Sequence, residues 1–188
     1  MIVFGIDPGF ASLGWAAIHF QNDEQGKPRF RCDGAGVIRT KKTKEKIPIY
    51  QDNQDRAEGI AHTLYDLTQE HGAVLIAVEA ESWTRTASDK LIGIARGVIY
   101  GMARTGGYPL EQYPPQLVRK ELIGKQAVSK TDLEDWLLSN VENLGMYLDR
   151  LPKGQRNHAA DAAGVAITAI RRGGTIKLLQ RLQSRGVG

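Results

Sequence analysis

The sequence predicts an α/β protein with a mixed central sheet, and three features carry that expectation. Residues 2–9 (IVFGIDPG) form an apolar run that ends in Asp7 and a Pro-Gly turn. Residues 74–79 (VLIAVE) repeat the plan with Glu79 at the end. Short runs of this kind, rich in β-branched residues and closed by turn formers, read as buried strands. The third feature is the order of elements: three strands, a helix, a strand, a helix, a strand, then helices, which indicates a mixed sheet with helical cover.

Taken in order, Ser12 to Phe20 is a second strand, antiparallel to the first. Turn formers at 22–28 (NDEQGKP) separate it from a third strand, Arg31 to Ile38, and a basic loop covers 39–49. A helix over Asn53 to Glu70 places Ala57, Ile60, Ala61, Leu64 and Leu67 on one face, with Gly72 closing it. After the fourth strand, Glu81 and Trp83 lie outside the apolar run.

The helix Ser88 to Ala103 carries Gly93, Gly97 and Gly101 down one side. Glycine inside a helix costs about 1 kcal/mol against alanine, so a regular row of it needs a reason. Either a second helix approaches closely there, as in a twofold dimer, or the helix packs on the chain's own sheet. Tyr108 to Tyr113 is a fifth strand halted by Pro114-Pro115, and Gln116 to Ile123 a short helix. Ser129 opens another helix (SKTD) with Leu133, Trp136, Leu137, Leu144 and Leu148 as its stripe, and Trp136 is expected in the core. After Pro152-Lys153-Gly154 a last helix spans Asn157 to Ile170. Beyond Gly174 the leucines at 178, 179 and 182 have helical spacing, in a segment that is either a marginal helix or disordered until it meets a partner. The expected organisation is one domain over 1–172 and a basic tail over 173–188.

Composition narrows the class. With 41% hydrophobic and 24% charged residues, the chain is an ordinary soluble domain large enough to bury a core. No apolar run approaches the roughly 20 residues of a membrane span, and no signal peptide precedes the first strand. The single Cys32 excludes an internal disulfide and fits a reducing cytoplasm. Residues 171–188 carry five bases and no acid against a net charge of +4 for the whole, so the rest sums to −1. A second cluster, 39–46 (RTKKTKEK), holds Lys41, Lys42 and Lys44 among its bases. Such runs are either solvated surface or, beside an acidic site, a grip for a polyanion.

The chemistry lies in carboxylates at strand ends. An ionised acid next to a core needs a partner. The residue two before each acid, on the same face, is Gly5 or Ala77, which leaves space under Asp7 and Glu79. The last helix reads HAADAAGVAI, so His158 and Asp161 share a face, and the small residues around them let that helix lie close to a sheet. Four ligands then converge: carboxylates suit Mg²⁺ or Mn²⁺, and the imidazole moves preference towards Mn²⁺. Plainer readings stand beside this one. Asp7 could cap its own turn, Glu79 could be a salt-bridge partner with Glu81 taking its role, and His158 or Asp161 alone could be a helix-start or surface residue.

IxxGIDPGxxxxGWA at 2–17, IAVE at 76–79 and HAADAAGVAI at 158–167 together resemble the RuvC family of Holliday junction resolvases, in order and spacing over nearly the whole chain. The resemblance implies a ribonuclease H-like fold with a mixed five-stranded sheet flanked by helices, and a homodimer through the 88–103 helix. It implies an endodeoxyribonuclease that nicks two strands of a four-way DNA junction with a divalent metal, Mg²⁺ (or Mn²⁺); phosphodiester hydrolysis, which needs both an activated water and a stabilised leaving oxygen, further suggests two ions per site and 5′-phosphate products. Carried over by position, the metal-site and catalytic residues fall on Asp7, Glu79, His158 and Asp161. Many members have Asp where His158 stands, although His also occurs. Basic residues near the scissile phosphates fall on Arg119 and Lys130, the latter assisting catalysis.

In relatives an aromatic that stacks on bases follows the catalytic Glu by three residues. Here that position is Ser82 with Trp83 beside it, so either Trp83 takes the role or junction selectivity differs. Lys41, Lys42 and Lys44, with the tail, would hold DNA arms, and the expected location is the cytoplasm, at the nucleoid or in a viral host. Rival readings are a non-cleaving DNA binder on the same scaffold, a nuclease for other branched DNA or RNA, and an actin-like ATPase. The ATPase needs a second glycine-rich phosphate loop, which residues 73–113 do not supply.

Overall fold

In the computed structural model, which describes residues 1–80, 89–124 and 129–185, the sheet grows outward from the first strand. β1 (Ile2–Asp7) pairs antiparallel with β2 (Ser12–Asn22), which pairs antiparallel with β3 (Pro28–Arg39). On its other side β1 pairs parallel with β4 (Ala73–Glu79), and β4 with β5 (Leu110–Tyr113). The resulting order is β5-β4-β1-β2-β3-β6. Helices α1 (Ile49–Glu70) and α2 (Asp89–Thr105) make the crossovers that parallel pairing of β1, β4 and β5 requires.

Alternation along the strands sends side chains to two cores. Phe4, Ile6, Ile76 and Val78 meet Ile60 and Leu64 of α1 and Ala95 and Ile99 of α2. The opposite face carries Val3, Leu75 and Ala77 and is covered by α6 (Lys153–Arg172), with α3 (Pro115–Ile123) and α4 (Lys130–Asn140) outside it. From Ala159 to Ile170 every residue of α6 except Asp161 is buried, because its alanines and Gly164 let it sit deep between sheet and outer helices.

One expected element is divided in the structure. The single helix expected from Ser129 to Leu148 is two helices, α4 and α5 (Leu144–Leu148), broken by a two-residue strand, β6 (Val141–Glu142). Asn143 takes a left-handed φ of 64°, which an uninterrupted helix cannot hold. β6 adds a parallel edge to β3 and makes the sheet six-stranded. Leu133, Leu137, Leu144 and Leu148 are all buried as expected, although from two helices. Trp136 is half-buried at the core margin, with the Arg171 guanidinium 5.0 Å from its ring.

The basic C-terminal segment forms α7 (Gly174–Arg185). Its Ile176 is 1% exposed in the α6-side core, and the Thr175 backbone N–H donates to Oε1 of Glu111 at 3.2 Å. A carboxylate accepting there satisfies one of the orphan donors of a helix start. Among the described residues, no helix is long and apolar enough to cross a membrane.

Candidate active site

Parallel pairing brings the two strand-end acids to one edge. Ile6 faces Val78 across β1 and β4, so Asp7 and Glu79 follow side by side. Both continue the alternation of Val3, Gly5, Leu75 and Ala77, which places them on the face that α6 covers. α6 lies there with almost no clearance. A Cβ built on Gly5 would stand 1.9 Å from the carbonyl oxygen of Ala162, and one on Gly14 only 2.1 Å from that of His158. Only glycine permits this approach, a role that the sequence pattern of small residues had suggested for the helix but not for Gly14.

Gly14 is the cross-strand partner of Asp7, so seating His158 over Gly14 brings the imidazole to the carboxylate. His158 Nδ1 donates to Oδ2 of Asp7 at 2.6 Å, with side chains 39% and 14% exposed respectively. A carboxylate can only accept, so the contact puts a ring proton on Nδ1; in the neutral form of the ring Nε2 is then the acceptor. Asp7 therefore reaches across the fold and does not fold back on its own turn. Asp161 follows within one turn of α6, beside the Ala162 that touches Gly5, and is half-buried. Glu79 is half-buried at the end of β4. Among the described residues, no three His, Cys, Asp or Glu groups stand together as a ready-made metal cage.

The other predicted residues lie on neighbouring elements. Arg119 is half-buried on α3, which starts just after β5 ends beside Glu79 and packs on α6 through Val118. Lys130 is the first residue of α4, behind the Ser129–Asp132 capping box. Lys41, Lys42 and Lys44 are exposed on the loop that leaves β3 at the same edge. Glu81, Ser82 and Trp83 lie outside the described residues.

Along the α2 glycine row, nothing among the described residues lies within 4 Å of a Cβ at Gly93, Gly97 or Gly101. That face is open, while Ala95, Ile99, Met102 and Ala103 bury the opposite one. Gly97 and Gly101 floor an apolar groove walled by Ala61, Tyr65 and Met102.

Residues that the sequence reading passed over also gather at this edge. Asp52 is 3% exposed although it is an acid in the first turn of α1, and Arg56 lies 4.3 Å over the ring of Phe10. The Asp-x-x-x-Arg spacing was the available signal, but on a helix it usually marks a weak surface pair. At the far side of α6, Arg172 pairs with Glu121 at 3.1 Å, fastening the helix end to α3.

The family model described as "Crossover junction endodeoxyribonuclease RuvC" matches residues 3–169. A Prochlorococcus marinus protein of that description is 29% identical over 174 residues, spanning 93% of this chain and 99% of the relative. The Thermus thermophilus RuvC structure superposes with a TM-score of 0.74 at 25% identity, covering 93% of this chain and 98% of that one. The same protein in complex with Holliday junction substrate gives 0.72 at 24% identity, over the same shares of the two chains. A family match across nearly the whole chain, joined to strand-end acids met by a histidine-bearing helix, places this protein in the RuvC family of crossover junction endodeoxyribonucleases.

Proposed function

We propose that the chain resolves four-way DNA junctions by nicking opposing strands, with Asp7, Glu79, His158 and Asp161 as its reaction centre. The observation that carries this is the close seating of α6 on β1 and β2, with His158 hydrogen-bonded to Asp7. The donor set, three carboxylates and an imidazole, has the chemistry of a hard divalent cation site. Asp7, Glu79 and Asp161 would hold the metal through oxygen and His158 through Nε2, oriented by its bond to Asp7. When bound, Mg²⁺ or Mn²⁺, two ions in the fullest form, lowers the pKa of water and neutralises the departing oxygen.

The protein's own groups do the rest. Asp7 fixes the imidazole tautomer so that Nε2 can accept a proton from the attacking water where it does not bind metal. Arg119 and Lys130 offset the charge on the scissile phosphate, and the strand is left with a 5′-phosphate. Lys41, Lys42 and Lys44 hold DNA arms without reading sequence, and Trp83 stacks on bases near the crossover. Residues 1–172 carry the reaction and 173–188 add basic charge behind it.

The open glycine row of α2 supports a homodimer through that helix: small residues let two copies approach along a twofold axis, which would present paired sites to opposing strands. The chain would act in the cytoplasm, where junction DNA is reached.

The test is cleavage of four-way, three-way, flap and linear substrates in parallel, with Mg²⁺, Mn²⁺ or chelator. Paired nicks confined to the four-way junction and dependent on metal are expected. Equal cutting of linear duplex overturns the junction reading. Binding without cutting of any substrate in either metal makes the chain a non-cleaving DNA binder.

A further inference from the structure

The loop after β3 leaves the sheet beside Asp7 with its lysines exposed, so its posture needs an explanation. Two side chains of α1 supply it. The Thr43 backbone N–H donates to Oδ1 of Asp52 at 2.7 Å, and Oδ2 lies 3.6 Å from Nη1 of Arg56. Arg56 Nε donates to the Thr40 hydroxyl at 3.0 Å, and that hydroxyl donates onward to the Phe10 carbonyl. The Thr40 N–H donates to the Ala11 carbonyl at 3.2 Å, and the guanidinium stacks 4.3 Å above the Phe10 ring. Asp52 and Arg56 side chains are only 4% and 13% exposed.

Burying an ion pair is a poor way to gain stability, since apolar residues of equal volume commonly do as well or better. What the pair provides is geometry. It joins the stem of the basic loop, at Thr40 and Thr43, to Phe10 in the turn that begins directly after Asp7. We infer that Arg56, held by Asp52, is a positioning residue that fixes the basic loop relative to the Asp7 turn, so that Lys41, Lys42 and Lys44 are held ready to grip a DNA phosphate. This rests on the proposed role of those lysines in holding DNA.

The variant that isolates the link is Thr40→Val, which removes the shared hydroxyl and keeps the shape; Thr40→Ser restores the hydroxyl. Junction binding across a salt series and single-turnover cleavage at saturating enzyme are the readouts. Thr40→Val should raise Kd about tenfold and make the slope of log K against log salt shallower by about 1 to 2, as expected when one or two phosphate contacts are lost. The saturating rate should stay within about threefold of wild type, because the loop acts on binding and not on bond breaking. Thr40→Ser should behave as wild type, and Arg56→Gln should follow Thr40→Val; if Arg56→Gln fails to fold, the Thr40 pair decides.

A wild-type Kd and slope in Thr40→Val, or failure of Thr40→Ser to rescue, overturns the inference. So does a lowered saturating rate with unchanged Kd. A Lys41, Lys42, Lys44→Gln triple variant separates the two layers. If it binds the junction as wild type does, the grip itself is wrong and the inference falls with it. If it binds weakly while Thr40→Val does not, the inference alone fails.

Discussion

Replacing Gly5 with alanine tests whether the seating of α6 sets the reaction centre. The new Cβ would stand 1.9 Å from the Ala162 carbonyl oxygen and 3.0 Å from the Ala166 Cβ. Real contacts of this kind almost never fall below 3.0 Å, so backbone must move by about 1 Å. Neither β1, fixed between β2 and β4, nor α6, buried along its length, can yield cheaply. Overpacking of this kind costs about 1–3 kcal/mol and sometimes more. A displacement near 1 Å at a reacting group costs about 10²-fold in rate. Gly5→Ala should therefore lose about 2–4 kcal/mol in urea unfolding and about 10²-fold in single-turnover junction cleavage, measured where the variant is folded. Gly14→Ala presses on His158 itself, 2.1 Å from its carbonyl oxygen, and should lower the rate at least as much. Gly59→Ala is the control: among the described residues nothing lies within 4 Å of its Cβ, and it should gain about 0.5–1 kcal/mol with rate unchanged. Wild-type stability and rate in Gly5→Ala would refute the reasoning.

Gly97→Leu fills the apolar groove at the α2 glycine row, where a Cβ meets nothing among the described residues within 4 Å, so the expected result is a folded monomer by analytical ultracentrifugation; a dimer of wild-type strength would remove α2 from the interface. Ile176→Ala should destabilise the whole domain by about 2–4 kcal/mol, because the side chain is 1% exposed in the α6-side core. An unchanged unfolding midpoint would mean that α7 contributes nothing to the fold. Burial pushes the Cys32 thiol up to about 12, so the reactive thiolate is nearly absent at pH 8. Its reaction with an aromatic disulfide reagent should be slow in the native protein and accelerate on unfolding, whereas rapid native labelling would contradict its burial.

The parts of the fold legible in the sequence were those with a strong period or a costly residue. β1 and β4 announced themselves as apolar runs with an acid at the end, and α6 as a run of small residues around His158 and Asp161. β6 was not legible because two residues carry no period, although Asn140 and Asn143 on either side were turn formers in plain view. α1 begins at Ile49, four residues ahead of the Asn53 that the apolar period predicts; its first residues Ile49 and Tyr50 are exposed and add nothing to that stripe. Contacts between distant segments were the hardest to foresee. The four candidate ligands could be named from motif and family, but not the His158–Asp7 hydrogen bond, which depends on Gly14 lying under α6. Likewise Asp52 and Arg56 looked like an ordinary helix pair until loop and turn closed over them.

The proposed reaction centre requires Asp161 and Asp7 to act together under α6. Asp161→Asn keeps size and helix context and removes the charge, so junction binding and Mg²⁺-supported cleavage should be measured on the same sample. Wild-type affinity with cleavage reduced by about three orders of magnitude or more is the predicted result. Cleavage at the wild-type rate would contradict it.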